Sequence, residues 1–240
     1  MTSAVYQDSE KGARFYGAVR EFWAYKGSEA ILDGPYETGK TFAALTKLHA
    51  LLCKYPHSRA LMVRKTYKSL VQSAVVTYET KVLPFKPDDR RSAILKYGGE
   101  RPDFYIYPNG SRLVVGGLDN AGKVLSAEYD FIYVNQAEEL SLDDWEKLTG
   151  RATGRAGNAP YTQVMGDCNP DVPTHWIKNR KNIRLFQQRH EHNPRLYDQP
   201  TGKLTEHGQR TLSILDALTG LRYKRGRLGL WVSAEGQVYD

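Results

Sequence analysis

Gly34-Pro35-Tyr36-Glu37-Thr38-Gly39-Lys40-Thr41 follows the pattern G-x-x-x-x-G-K-T without a mismatch. The spacing has a physical reason. Successive backbone N–H groups have to point into one concavity to hold phosphate oxygens. Gly34 and Gly39 permit backbone angles and a close approach that a side chain would block. Lys40 is placed to reach the β- and γ-phosphates of ATP, and the Thr41 hydroxyl to bind Mg2+. Such a pattern arises by chance in on the order of one chain in a hundred of this length, and context weakens the chance reading. Residues 30–33 read as a strand running into the loop. Residues 41–55 read as a helix leaving it, with Phe42, Leu45, Leu48 and Leu52 on one face and Pro56 at its end. That helix aims its positive end at the anion. Glu37 puts negative charge inside a phosphate loop, so it is expected to point outward.

Outward from the loop, residues 59–64 read as a strand and 69–82 as a helix. Residues 104–107 and 112–115 flank Asn109-Gly110, a strong hairpin signal. Residues 131–134 form a continuous apolar strand. Residues 141–148 read as a helix capped by Ser141, with Asp143 and Asp144 in the first turn. Further strands are expected over 162–166 and 183–189, and helices over 11–26 (Phe15, Val19, Phe22 and Trp23 on one face) and 207–219. Strands alternating with helices predict an α/β fold of the RecA-like P-loop NTPase type. It has a mostly parallel sheet flanked by helices, a local β-hairpin and a small C-terminal subregion. The expected division is a P-loop core over residues 1–190 and an appended subregion over 191–240, richer in Gly, Pro and basic residues.

With 240 residues and 40% hydrophobic content, the chain is large enough to bury a core. No window approaches the roughly 18 apolar residues of a membrane span. Residues 1–14 lack a signal-peptide core, so no membrane is expected and a cytosolic site is the default. Cys53 and Cys168 read as free thiols. The net charge of +7 favours a polyanionic partner, weakly by itself.

An ATPase of this kind needs a second strand that delivers an acid near Mg2+ and often a glutamate that orients the attacking water. After strand 131–134 come Asn135-Gln136-Ala137-Glu138-Glu139. Where acids are expected, the chain has amides. Asn135 can hold a Mg2+-bound water by its carbonyl, whereas Gln136 can orient a water but cannot accept its proton. Glu138 and Glu139 either reach the site through a bend or a water, or are solvated charges at a helix start. Two readings stay open: Gln136 marks an impaired hydrolytic step, or Glu138 or Glu139 has taken over the duty.

The chain resembles the N-terminal ATPase domain of large terminases, the DNA-packaging motors of tailed bacteriophages. Four blocks carry the likeness: residues 34–41; residues 131–140 with Asp143-Asp144-Trp145-Glu146; Gly166-Asp167-Cys168-Asn169-Pro170 with Trp176; and His192-Asn193-Pro194 through Leu230-Trp231 and Glu235-Gly236. The resemblance implies an ATPase that moves double-stranded DNA into an empty capsid in the host cytoplasm. It implies a homo-oligomeric ring on a portal protein, compatible with a monomer in isolation, and a separate small terminase subunit. It makes residues 166–170 a coupling motif with Asn169 as γ-phosphate sensor, and Arg64 the arginine after the strand that follows the P-loop helix. Two departures stand out. The family usually shows an acidic pair where this chain has Asn135-Gln136. Its large subunits also continue into a nuclease domain, and nuclease activity is not expected in these 240 residues.

Arg151, Arg155 and Lys123 are candidates for a trans-acting finger or for solvated charges. The basic run 222–227 either tracks phosphates, lies against a neighbouring subunit or forms a solvated helix face. His190-Glu191-His192 has too few ligands around it for a metal site. Tyr16, Trp23 and Tyr25 read as core aromatics before they read as an adenine stack. The expected function is a Mg2+-ATP hydrolase coupled to DNA translocation. The rivals are a helicase-like ATPase outside packaging and a nucleotide-gated module with little hydrolysis.

Overall fold

The structure is a computed structural model describing residues 14–234. Glu235-Gly236, and residues 11–13 of the first expected helix, lie outside the described residues. The chain begins with α1 (Ala18–Ala24), β1 (Glu29–Asp33), α2 (Lys40–Lys54) and β2 (Arg59–Arg64). Then comes α3 (Tyr67–Leu70), which continues through wider π-type turns at Val71–Val75 and Tyr78–Val82. Next are β3 (Leu95–Tyr97), β4 (Phe104–Ile106), β5 (Arg112–Gly117), α4 (Ala121–Leu125), β6 (Phe131–Val134), α5 (Leu142–Thr149), β7 (Gln163–Cys168), α6 (Trp176–Asn179) and β8 (Ile183–Gln187). The last elements are α7 (Glu206–Asp216) and α8 (Gly220–Arg222).

The strands form one sheet in the order β3-β4-β5-β2-β6-β7-β1-β8. From β5 to β8 every pairing is parallel, and β3 and β4 add the antiparallel hairpin edge that Asn109-Gly110 announces. Side-chain alternation builds the two cores. On β2 and β6, Ala60, Met62, Phe131 and Tyr133 pack with Leu45, Leu48 and Leu52 of α2 and with Phe22. Leu61, Val63, Ile132 and Val134 face the other way, onto Trp145 and Leu148 of α5. Apolar residues on both faces are what a buried parallel sheet requires. A small satellite cluster of Leu196, Leu212 and Leu215 lies in the C-terminal part. Among the described residues no helix is long and apolar enough to cross a membrane.

Some boundaries differ from the sequence reading. The first helix begins at Ala18, because Gly17 takes a left-handed φ of 56°. The helix expected over 207–219 spans Glu206–Asp216, and the strand expected over 183–189 ends at Gln187. The strand expected over 162–166 runs on to Cys168, because Asp167 and Cys168 pair with Leu32 and Asp33 of β1. That extension carries an acid to the edge of the sheet where the loop begins.

Candidate nucleotide site

Residues 34–41 join β1 to α2 at the C-terminal edge of the parallel strands, where open α/β sheets bind their ligands. Gly34 has φ 151°, and a Cβ there would meet the Gln188 carbonyl at 2.4 Å. Gly39 starts α2 at φ 82°. Glu37 is exposed, as its charge requires, and also has a left-handed φ of 60°. The outer rim is pinned from outside. His190 Nε2 bonds the Tyr36 carbonyl (2.9 Å), Asn193 Nδ2 donates to the Glu37 carbonyl (2.8 Å), and Tyr36 N–H donates to the Gly226 carbonyl (2.9 Å). Trp231 Nε1 donates to Asp33 Oδ2 (2.9 Å), immediately before the loop. Burial raises the pKa of Asp33 against that hydrogen bond.

Lys40 is folded into the loop. Its Nζ donates to the carbonyls of Gly34 (2.7 Å) and Pro35 (2.5 Å) and to Thr38 Oγ1 (3.3 Å). Burial holds its pKa below the usual lysine range, against the pull of the charges of Asp167, Cys168, Glu138 and Asp33. An ammonium bound only by carbonyls and a hydroxyl is a group that a polyphosphate would recruit.

The opposite wall comes from β6 and β7. Asp167 is 3% exposed and accepts from Thr41 Oγ1, from Tyr133 OH (2.9 Å), from Asn135 Nδ2 (3.2 Å) and from Gln136 N–H (3.1 Å). The carbonyl oxygen of Asn135 faces Ser73 Oγ at 3.3 Å. Gln136 takes a left-handed φ of 51° and starts the tight turn Ala137–Glu139. Its Oε1 is out of solvent without a partner. In the same turn, Glu138 Oε1 accepts from Asn169 Nδ2 (2.8 Å), and Glu138 Oε2 is likewise out of solvent without a partner. Burial pushes the Glu138 carboxyl up to about 7; the Asp167 charge adds to this and the hydrogen bond from Asn169 opposes it. His175 Nε2 bonds the Glu138 carbonyl (3.2 Å) and Trp176 Nε1 donates to the Leu140 carbonyl (2.7 Å), so the segment after β7 holds this turn.

Glu139 points elsewhere. It forms a two-point pair with Arg64 (2.9 and 2.5 Å), and Arg64 also donates to Ser73 (3.0 Å). The structure thus gathers Lys40, Thr41, Asn135, Gln136, Glu138 and Asn169 around the loop and ties Arg64 to Glu139. Sequence reasoning quoted Asp167 only inside a longer block. The signal that would have found it was an acid at the end of one strand beside amides at the end of its neighbour. Thr41 and Asp167 present hard oxygen donors to each other, the donor chemistry that Mg2+ requires.

Several of the other candidates have partners within the chain. Lys123 pairs with Asp103 and Arg155 with Glu128, each at 2.5 Å. Within the basic run, Arg225 pairs with Asp171 and donates to the Val232 carbonyl, and Arg227 pairs with Asp216 (2.6 Å). Trp23 packs on Phe15 and Tyr25 on Phe186. Among the described residues no cluster of His, Cys, Asp and Glu is arranged to hold a metal by itself.

No family model matches the chain, and no curated protein sequence does. Solved structures do. The chain is similar to the large terminase of a thermophilic bacteriophage in complex with ATP-γ-S, with a TM-score of 0.68 at 15% identity over 91% of this chain and 53% of that one. It is similar to the ATPase domain of the Thermus phage P74-26 large terminase, with a TM-score of 0.60 at 13% identity over 91% of this chain and 94% of that domain. The HK97 bacteriophage large terminase matches with a TM-score of 0.55 at 14% identity over 87% of this chain and 47% of its own. The fold is therefore the P-loop fold of phage large-terminase ATPase domains. The chain spans about half the length, 53%, of the large terminase solved with ATP-γ-S.

Proposed function

We propose that this chain is a Mg2+-dependent ATP hydrolase of the large-terminase kind, which couples turnover to movement of double-stranded DNA into a capsid. One observation carries the reading. Glu138, half-buried and with one carboxylate oxygen out of solvent and unpartnered, lies within electrostatic reach of a Lys40 ammonium held in a glycine-rich phosphate loop. The large terminase solved with ATP-γ-S supports the choice of nucleotide.

In this reading the loop 34–41 cradles the phosphates, and Lys40 leaves the Gly34 and Pro35 carbonyls for the β- and γ-phosphates. Bound Mg2+ would neutralise developing charge on the transferring phosphoryl group; Thr41 and the side chains beside it would hold it. Glu138 takes the proton of the attacking water through Oε2, while Asn169 fixes its other oxygen and reports on the γ-phosphate. Gln136 orients that water with its unpartnered amide oxygen. The duty that the amide pair cannot perform has moved two residues on, from Gln136 to Glu138. Arg64 and Glu139 act as a pair that positions the turn. A portal protein, a small terminase subunit and a ring of copies belong to the same proposal, as does a site of action in the host cytoplasm.

Phosphate release from ATP, measured with and without double-stranded DNA, tests the proposal. Mg2+-dependent release that rises with DNA is expected. Nucleotide bound without release in either condition would replace hydrolysis by nucleotide-gated binding.

A further inference from the structure

We infer that Asp167 supplies the metal-holding carboxylate that the acidic strand lacks: together with the Thr41 hydroxyl it holds the Mg2+ of a bound nucleotide, and Asn135 positions Asp167 rather than the metal. The inference rests on residues 34–41 being a nucleotide site.

Strand parity sets the stage. Tyr133 of β6 and Met165 of β7 face α2, so Asn135 and Asp167, two residues on, emerge on that same side. The last rung that all four neighbouring strands share runs Val63, Val134, Gly166 and Ile31, and Asn135 and Asp167 stand one residue beyond it. Both positions therefore address the start of α2. Of the two side chains, the one that accepts from Thr41 Oγ1 is Asp167. Asn135 turns its carbonyl to Ser73 and its amide to Asp167 and Tyr133 (3.1 Å).

The chemistry explains the departure in the acidic strand. Two carboxylates side by side cannot both stay ionised without cost. With an acid on β7, position 135 is better filled by a donor, and Asn135 donates. The partners of Asp167 are neutral donors: two hydroxyls, an amide and a backbone N–H. A buried carboxylate so arranged has its geometry fixed; the Lys40 ammonium acts on it only at a distance while bonding the loop carbonyls, and buried charges are paired or coordinate metals. Tyr133 OH and Gln136 N–H fix one oxygen, Oδ1, while the other faces Thr41. That is the oxygen which would turn to a metal held by Thr41.

The test is the Mg2+ dependence of nucleotide affinity, titrated with a fluorescent ATP analogue in EDTA and across Mg2+ concentrations, with folding of each variant checked by thermal unfolding. Asp167→Asn should raise the Mg2+ needed for half-maximal tightening by at least about 10- to 100-fold, the loss typical of removing even a residue that only orients a metal ligand. Asn135→Ala should shift it less. Asp167→Asn with an unchanged Mg2+ dependence, or a larger shift from Asn135→Ala than from Asp167→Asn, overturns the inference. Should Asp167→Asn fail to fold, the exchange Asn135→Asp/Asp167→Asn keeps one carboxylate on the same face. A folded exchange variant that needs more Mg2+ than the wild type for the same tightening supports the inference, and one that matches or betters the wild type overturns it, because position 135 would then be the metal position. A wild type that binds no nucleotide in either buffer would instead strike the nucleotide reading itself.

Discussion

The loop 34–41 and the turn that follows β6 are the two halves of one site, and they are built on opposite principles. The loop is held from outside and satisfied within. Its carbonyls are tied to His190 and Asn193, and its lysine rests on the Gly34 and Pro35 carbonyls. The turn is held by its neighbours, His175 and Trp176, yet it leaves two buried oxygens, Gln136 Oε1 and Glu138 Oε2, without partners. Buried polar atoms without partners cost about 1–3 kcal/mol each and persist where a ligand or water completes them. On the proposed function, the comparison teaches that the loop backbone is preformed for phosphate, whereas the turn would be finished only when substrate and water arrive.

The largest way to break the comparison is at the loop. Lys40→Ala should abolish hydrolysis and weaken ATP binding, since the ammonium folded into the loop is lost. Unchanged affinity for a fluorescent ATP analogue together with unchanged turnover would remove residues 34–41 from the site.

The next effect sharpens the turn. Glu138→Gln keeps the hydrogen bond from Asn169 but cannot take a proton, so turnover should fall about 100- to 10,000-fold with nucleotide affinity retained. Glu139→Gln disturbs only the pair with Arg64, and Gln136→Glu puts a new charge beside Asp167 and Glu138; neither should move turnover by as much as Glu138→Gln. Steady-state phosphate release for the three variants decides it, and a collapse at Glu139 alone would move the base there.

The smallest effect is on stability. The Glu138 carboxyl is raised from 4.5 to about 7 in the folded chain, so the native state binds the proton more tightly than the unfolded state. Its contribution is therefore neutral below the unfolded pKa and becomes destabilising as pH rises from about 4.5 to 7. Glu138→Gln should stabilise the chain at pH 8 by up to about 3 kcal/mol and change little at pH 4, as read by urea unfolding at both. Equal stabilisation at the two pH values would show that Glu138 is not strained by burial.

Much of this was legible in the chain. The eight-residue loop pattern fixed its own place because backbone geometry dictates Gly34 and Gly39, and β1, β2, α2 and β6 followed from apolar runs and periodicity. The choice between Glu138 and Glu139 was not legible. Adjacent residues in a tight turn point in different directions, and only the left-handed start at Gln136 sends one towards Asn169 and the other towards Arg64. Asp167 was hidden for a different reason. A polar residue after an apolar run reads as the end of a strand, and only pairing with Leu32 on β1 shows that the strand continues through it.

The rim of the loop has a mechanical consequence. From Tyr36 to Gly226, from Pro35 to Gly229 and from Asp33 to Trp231, the path from the loop to the last described segment crosses one contact. A displacement of the loop by a fraction of an ångström must carry residues 226–231 with it or break those contacts. On the proposed function the segment would work like the follower of a cam, taking up whatever displacement a bound nucleotide imposes on the loop.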